Sequence, residues 1–385
     1  MKIVCSADVL YAREAFSPLG DVVVMDASSI STDNVKNADI LVVRSTVKVD
    51  ETLLKNSSVK FIGTATIGFD HFDIPYFEEK GIRWCYAPGC NANSVAEYVV
   101  SALLCLAARH GFALKGKTIG IVGVGNVGRL VAQKSAALSM NVLLNDPPRQ
   151  IRENISGPDW HSLDNLLDEA DIVSMHVPLT FKGPYATHHM VNGRFFEKIK
   201  HGSIFFNTSR GGIVNTPSLI KAIEEGKVSR SVIDTWEGEP DFSQELLQAV
   251  DIGTPHIAGH SIEGKAYGTL IVYKQVCEFL KKKPSWSPES LFPPPSVLEL
   301  KADTAEETKD ESFLWSVVKR VYDVESDDAN MRDFIVNEET LGSHFRKLRG
   351  NYPPRREFRF VRINTAGLSP ELVSKLGSLG FPVFF

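Results

Sequence analysis

Short apolar runs punctuate the first 90 positions: IVCSA, DVVVMD, ADILVVRS, VKFIGTATIG and GIRWCYA. Several are apolar throughout rather than alternating, as expected of parallel strands covered on both faces. The pattern predicts a strand-then-helix series. A second series starts at TIGIV (118–122) and continues through NVLL, ADIVSMHVP, SIFFNTSR, SVIDTWEGEP and DIGTPHIAGH. Helical spacing appears between these runs over 160–169, 192–199 and 217–225. Alternation of this kind predicts a doubly wound parallel sheet. Two longer segments, 91–110 and 263–280, are apolar nearly all round and predict buried helices. In the first, Ser94 and Glu97 have the spacing of a capping box. The Pro-rich stretch 281–295 reads as a linker. Beyond it lie an acidic stretch around 303–311, an amphipathic helix in SFLWSVVKRVYDV, an alternating strand in EFRFVRI, and a helix and final strand in PELVSKLGSLGFPVFF.

One stretch carries more than a pattern. After the strand at 118–122 come Gly123, Gly125 and Gly128 in G-x-G-x-x-G spacing, then helix formers, then a second strand ending at Asp146. Gly123 permits a tight turn. Gly125 lets backbone approach a pyrophosphate, and Gly128 lets helix and strand pack closely. The helix start offers free N–H groups and partial positive charge to phosphates. Asp146 follows the glycines by roughly 20 residues, where an acid accepts hydrogen bonds from a ribose and repels a 2′-phosphate. The expected cofactor is therefore NAD rather than NADP.

Composition narrows the remaining classes. The chain has 385 residues, 43% hydrophobic and 23% charged, with net charge −5. These values suit two or three globular domains and give no argument for nucleic acid or an anionic membrane. No apolar run reaches the roughly 18 residues of a spanning helix, and the N-terminus turns polar too early for a signal peptide. The five cysteines show neither CxxC nor Cys/His ligand spacing, so no metal site is expected. Scattered and odd in number, they suit reduced thiols in a cytoplasm.

Chemistry concentrates at strand ends. In open α/β sheets ligands bind beyond the carboxyl ends of the strands. Arg44, Ser45 and Thr66 follow strands of the first series and are either anion contacts or ordinary loop caps. Arg210, the acids Asp234 and Glu239, and His256 follow successive strands of the second series. A His moves protons near neutral pH, a carboxylate orients it, and an Arg grips a substrate carboxylate with two hydrogen bonds. His176 precedes a proline and reads as a turn-shaping residue. In the tail, Arg346, Lys347, Arg349, Arg355, Arg356, Arg359 and Arg362 form a basic run, read either as a solvated face or as a source of one arginine reaching a substrate pocket.

GVGNVG with Asp146, HVPLT, NTSRGGIV, DTWEGEP and TPHIAG together resemble the D-isomer-specific 2-hydroxyacid dehydrogenase family over roughly residues 1–282. RSTVKVD, GTATIGFDHFD, PGCNANSVAEYV, GPYATHH and HSIEGKAYGT, with the added C-terminal region, resemble a subgroup of it that acts on a phosphorylated hydroxy acid. The resemblance implies α/β architecture: two Rossmann-like doubly wound parallel-sheet domains plus a small C-terminal α+β dimerisation domain. Residues 1–92 and 261–282 would bind substrate, 93–260 NAD, and 283–385 would be linker and dimerisation domain of a cytoplasmic homodimer. By family roles His256 is the acid/base, Glu239 its partner, and Arg210 the carboxylate ligand. Gly123, Gly125, Asn126, Val127, Gly128, Asp146, Val177, Thr208, Ser209, Asp234 and Gly259 would line the NAD site. Ser45, Thr66, Arg44 and His260 would meet the substrate, His260 standing where the family has Tyr. Other implied readings are another 2-hydroxy acid, such as phosphoglycerate or glycerate, and a non-catalytic NAD-sensing protein on the same fold.

Overall fold

The structure, a computed structural model, describes residues 1–299, 310–333 and 340–384. The acidic residues 303–309 lie outside them. The chain divides into two compact units, residues 1–92 with 260–294 and residues 93–259 with 295–385.

The first unit is built on five parallel strands: β1 (Lys2–Ser6), β2 (Asp21–Met25), β3 (Ile40–Val43), β4 (Phe61–Thr64) and β5 (Arg83–Cys85), in the order β2-β1-β3-β4-β5. That order is the flavodoxin-like form of the doubly wound sheet. β3 and β4 are buried at every position, which explains their unbroken apolar sequence. The helix Ile262–Phe279 covers one face, with Val272, Tyr273, Val276 and Cys277 packed against Ile3, Cys5 and Phe61. Its N-cap is Ser261, whose Oγ accepts from Gly264 N at 2.8 Å.

The second unit carries six parallel strands: β6 (Thr118–Val122), β7 (Asn141–Asn145), β8 (Ile172–Met175), β9 (Ser203–Asn207), β10 (Val228–Ile233) and β11 (Ile252–Gly253). Their order is β11-β10-β9-β8-β6-β7, so the chain reverses direction between β6 and β8. That switch point is where this topology binds ligands. Beyond β7 a single parallel bridge joins Leu144 to Trp160. It draws Trp160 out of the helix expected over 160–169, which starts instead at Leu163 with Ser162 as its N-cap. β11 is only two residues long; farther along DIGTPHIAGH, the N–H groups of Ile257 and Ala258 go to a buried carboxylate described below.

Residues 295–384 add a parallel sheet, β12 (Ser296–Glu299), β13 (Val361–Asn364) and β14 (Val383–Phe384), in that order. Among the described residues the helices Asp310–Lys319, Val324–Arg332, Leu341–Gly350 and Pro370–Leu379 accompany it. This segment shares its core with the dinucleotide half. Leu314, Val318, Phe358 and Leu376 pack in one cluster with Leu103, Leu106 and Ile119. The helix Ala92–His110 is correspondingly buried along nearly its whole length. EFRFVRI is not one strand. Glu357 and Phe358 are consecutive and both fully buried, which breaks the alternation, so a 3₁₀ turn (Phe358–Phe360) precedes β13.

The capping box also resolves differently. The helix begins at Ala92, placing Ser94 inside its first turn. Ser94 Oγ donates to Glu357 Oε1 at 2.8 Å, and Asn93 Nδ2 donates to Glu97 Oε1 and Glu357 Oε2 at 2.8 and 2.9 Å. Glu97 accepts instead from Phe358 N at 3.0 Å. Burial, reinforced by Glu357, pushes the Glu97 carboxyl up to about 8 against the pull of Lys134 and Arg355. Among the described residues no helix is long and apolar enough to cross a membrane, and no group of three or more His, Cys, Asp or Glu gathers as a metal cluster.

Candidate active site

The glycine turn lies at the switch point, and each glycine has a separate physical reason. Gly123 has φ +91°, and a Cβ on it would sit 2.7–2.8 Å from the backbone of His176 and Val177. A Cβ on Gly128 would lie 2.0 Å from the Gly123 carbonyl oxygen, so strand and helix touch there. A Cβ on Gly125 would meet nothing within 4 Å. Space is therefore kept open at the exposed start of the helix Asn126–Ala137, where Asn126 and Val127 present the first free N–H groups. This open, electropositive cradle fits a pyrophosphate.

Asp146 closes the same turn. Its Oδ2 accepts from Val124 N at 2.9 Å, and its Oδ1 caps the helix Pro147–Glu153 through Arg149 N at 3.0 Å. Arg149 returns a hydrogen bond to the Val124 carbonyl. Sequence reading missed this helix and its cap, although D-P-P signals them, since proline favours the first helical position. Each Asp146 oxygen keeps a second lone pair for a ribose hydroxyl. His176 is held by Ser174 Oγ at 2.8 Å and Thr208 Oγ1 at 3.4 Å. Burial pushes it down to about 3 and keeps it neutral.

The loops after β9, β10 and β11 are tied into one assembly. Nδ1 of His256 lies 2.5 Å from Oε1 of Glu239. The other Glu239 oxygen accepts from Trp236 N at 3.2 Å. Burial would raise the Glu239 carboxyl, but the charge and hydrogen bond of His256 together with Trp236 N–H hold it below the ordinary range. With Nδ1 spent on the carboxylate, Nε2 is the nitrogen left for a substrate. Arg210 is half-buried, and its Nη1 donates to the Ser209 carbonyl at 2.8 Å. Asn207 Nδ2 ties the carbonyls of Arg210 and Thr235 together, both at 3.1 Å, and its Oδ1 accepts from Ser209. A Cβ on Gly211 would lie 1.8 Å from the Trp236 carbonyl oxygen, so the Arg210 loop and the Glu239 loop pack backbone to backbone.

Asp234 is 1% exposed. Its Oδ1 accepts from Thr254 Oγ1 at 2.7 Å and Ile257 N at 2.8 Å, and its Oδ2 from Ala258 N at 3.0 Å. It thus holds the loop that bears His256, while burial raises its own carboxyl. Thr208 and Ser209 are largely buried, Val177 and Gly259 half-buried. Sequence reading missed two supports. Asn207 is signalled by one polar residue ending an apolar strand. The other is a second His–carboxylate pair: Glu237 contacts His189 Nε2 and accepts from Thr216 N at 2.9 Å.

Within the first unit, Arg44, Ser45 and Thr66 do follow β3 and β4 at the carboxyl edge. Arg44 Nη1 donates to the Ala65 carbonyl at 3.0 Å, and Thr66 Oγ1 to the Gly68 carbonyl at 2.7 Å. Ser45 is exposed, and His260 is half-buried just before the helix Ile262–Phe279. Sequence reading overlooked Asp8, which accepts from Ser6 Oγ at 2.5 Å and Thr46 Oγ1 at 2.7 Å. The basic run of the tail is not uniformly a solvated face. Arg355 is only 5% exposed, because its guanidinium stacks 4.0 Å from the Tyr322 ring and binds main-chain carbonyls.

These features agree with what the chain resembles. Residues 104–258 match the model of the D-isomer specific 2-hydroxyacid dehydrogenase NAD binding domain, and residues 291–380 match a domain of unknown function. The erythronate-4-phosphate dehydrogenase of Proteus mirabilis is 40% identical over 99% of both chains. That of Klebsiella pneumoniae is 42% identical over 99% of this chain and 98% of its own. Among solved structures, D-lactate dehydrogenase of Aquifex aeolicus, complexed with NAD and lactic acid, superposes with TM-score 0.60 at 27% identity, covering 72% of this chain and 95% of its own. NAD-bound 3-phosphoglycerate dehydrogenase of Entamoeba histolytica gives 0.63 at 26%, covering 73% and 95%. The chain is thus an NAD-dependent dehydrogenase and belongs to the D-isomer-specific 2-hydroxyacid dehydrogenase family.

Proposed function

We propose that the chain oxidises 4-phospho-D-erythronate at C2 to (R)-3-hydroxy-2-oxo-4-phosphooxybutanoate, a step in pyridoxal 5′-phosphate (vitamin B6) biosynthesis. The relatives' names supply the substrate. The observation that carries the chemistry is the His256–Glu239 contact, packed through Trp236 against the loop that bears Arg210.

Arg210 grips the substrate carboxylate by a forked pair of hydrogen bonds and orients C2. Nε2 of His256 takes the proton of the C2 hydroxyl. Glu239 keeps the ring in the tautomer that leaves Nε2 free and balances the imidazolium once it forms. Bound NAD supplies the hydride acceptor. Gly123, Gly125, Asn126, Val127 and Gly128 hold the pyrophosphate, and Asp146 the ribose. Val177, Thr208, Ser209 and Gly259 line the rest of the cofactor site, with Asp234 acting from beneath through the His256 loop. Arg44, Ser45, Thr66 and His260 contact the substrate, supplying the charge and hydroxyl donors that a phosphate needs. The enzyme works as a cytoplasmic homodimer joined through its C-terminal segment.

The test is NADH formation with a panel of 4-phosphoerythronate, 3-phosphoglycerate, glycerate and lactate. The highest kcat/KM belongs to 4-phosphoerythronate. Equal or better turnover of an unphosphorylated acid overturns the substrate. Replacing His256 with Asn lowers turnover by roughly 10²-fold or more, the usual worth of a general base. Near-normal turnover in that variant overturns the acid/base assignment.

A further inference from the structure

His256 sits on a loop that its own neighbours do not fix. Its φ is +55°, a left-handed conformation uncommon outside glycine, so the surroundings must impose it. The loop leaves β11, a two-residue edge strand that pairs only with β10. An edge strand has no further strand to receive its outward N–H groups. Here the C-terminal segment takes that place. Asp328, on the helix Val324–Arg332, accepts from Gly253 N at 2.7 Å. Arg332 fixes that carboxylate at 2.8 Å and donates to the carbonyls of Leu247 and Val250 at 2.7 and 3.0 Å.

The other end of the loop is held from the same segment. Arg355 Nη2 donates to the Ala258 carbonyl at 2.9 Å and to the Ser94 carbonyl at 2.6 Å. Its guanidinium is clamped over the Tyr322 ring. Tyr322 is itself tethered, since its hydroxyl donates to Asp327 at 3.0 Å and its carbonyl accepts from Ser101 Oγ at 3.1 Å. His256 thus lies between two contacts, at Gly253 and Ala258, both made by residues more than 70 positions downstream. Both contacts are to main chain, so they set loop position whatever the side chains do.

We propose that the C-terminal domain of unknown function braces the catalytic loop, with Asp328 and Arg355 as positioning residues for His256. This role is additional to any part in dimerisation, and it rests on His256 being the acid/base. Neither residue touches substrate or cofactor. They act by holding the ring of His256 at the place and angle that proton removal requires, where an error of 1 Å can cost about 10²-fold.

The test uses the full-length enzyme with NAD and 4-phosphoerythronate, comparing Arg355→Met, Arg355→Lys and His256→Asn. Arg355→Met lowers kcat about tenfold or more while KM for NAD stays within about twofold, because the glycine turn is untouched. Amide hydrogen exchange at residues 253–258 speeds up in the same variant. Arg355→Lys, which keeps a donor, recovers most of kcat. Turnover within twofold of the parent with unchanged exchange overturns the proposal. So does a loss in which NAD affinity falls and exchange speeds up across the whole unit, since that marks general destabilisation. Should Arg355→Met fail to fold, Asp328→Ala probes the same brace from the Gly253 end with the same readouts. A dead His256→Asn beside a normal Arg355→Met refutes the brace alone. A normal His256→Asn refutes the acid/base reading instead.

Discussion

Two loops at the carboxyl edge of the six-stranded sheet are fixed in opposite ways. The turn from Gly123 to Gly128 is held with few outside contacts: one positive φ, one close approach within six positions, Asp146 accepting from Val124 N, and the His176 backbone against Gly123. The loop from Thr254 to Ala258 is held by an acid at similar range and by residues much farther away. Asp234 grips it from 20 to 24 positions upstream, Tyr98 reaches Thr254 Oγ1 at 2.8 Å, and Asp328 and Arg355 come from the far end of the chain. A pyrophosphate cradle needs little more than free N–H groups and room. A proton-transfer group must be aimed, and aiming takes contacts from several directions.

The sharpest way to break the comparison is at Asp234. One carboxylate accepts three hydrogen bonds from the His256 loop. Asp234→Asn removes the charge and sets an amide donor against loop N–H groups. A buried hydrogen bond to a charged group contributes about 1.5–3 kcal/mol, so turnover falls roughly 10- to 100-fold if that is lost at the transition state. The NAD dissociation constant, read by fluorescence titration, stays within a few-fold. A variant that loses NAD affinity and keeps kcat would place Asp234 on the cofactor instead.

The two regions were not equally legible, and the reasons are motif and range. Gly123, Gly125, Gly128 and Asp146 lie within 24 positions, and their spacing encodes their geometry directly. The strand ends carrying Arg210, Glu239 and His256 were legible too, because a parallel sheet sets all its carboxyl ends on one edge. The supports were not. Asp234 is about as far from Ala258 as Gly123 is from Asp146, but no spacing motif ties the two, and nothing near Arg355 says that it is interior rather than part of a solvated basic run. The helices Val324–Arg332 and Leu341–Gly350 also escaped notice because their sequences are polar, and the strand β12 because it is only four residues long and its partner β13 lies 65 positions on.

The glycine turn yields to single methyl groups, and the three glycines give different outcomes. Gly125→Ala puts a Cβ into open space, so melting temperature is unchanged while NAD binding weakens about tenfold, roughly 1.4 kcal/mol of lost pyrophosphate approach. Gly128→Ala drives a Cβ against the Gly123 carbonyl and costs about 1–3 kcal/mol of stability as well. Calorimetry and NAD titration on the pair separate cradle from packing. Equal destabilisation by both would show that Gly125 is also a packing residue. Asp146→Ala follows with a smaller effect. It removes the cap on the helix Pro147–Glu153, about 1 kcal/mol, and narrows the preference for NAD over NADP. An unchanged cofactor ratio would leave Asp146 with the capping role only.

The last effect is absent at neutral pH and appears only in acid, at His176, which links the glycine turn to the Arg210 loop: its backbone lies against Gly123 and its ring meets Thr208. The ring titrates at about 3 in the fold and near 6.5 when unfolded. Below 6.5 the unfolded chain therefore binds a proton that the folded chain refuses, and stability falls with falling pH down to about 3. The slope from this one group is at most about 1.4 kcal/mol per pH unit, and it vanishes above the unfolded value. His176→Gln cannot titrate, so its melting temperature should decline less steeply than the parent's between pH 6.5 and 4. His71, pushed down to about 4 by burial, keeps part of the slope in both proteins. Parallel curves would show that the His176 ring takes up its proton in the folded state, and that the link between the glycine turn and the Arg210 loop is looser than the hydrogen bonds of Ser174 and Thr208 imply.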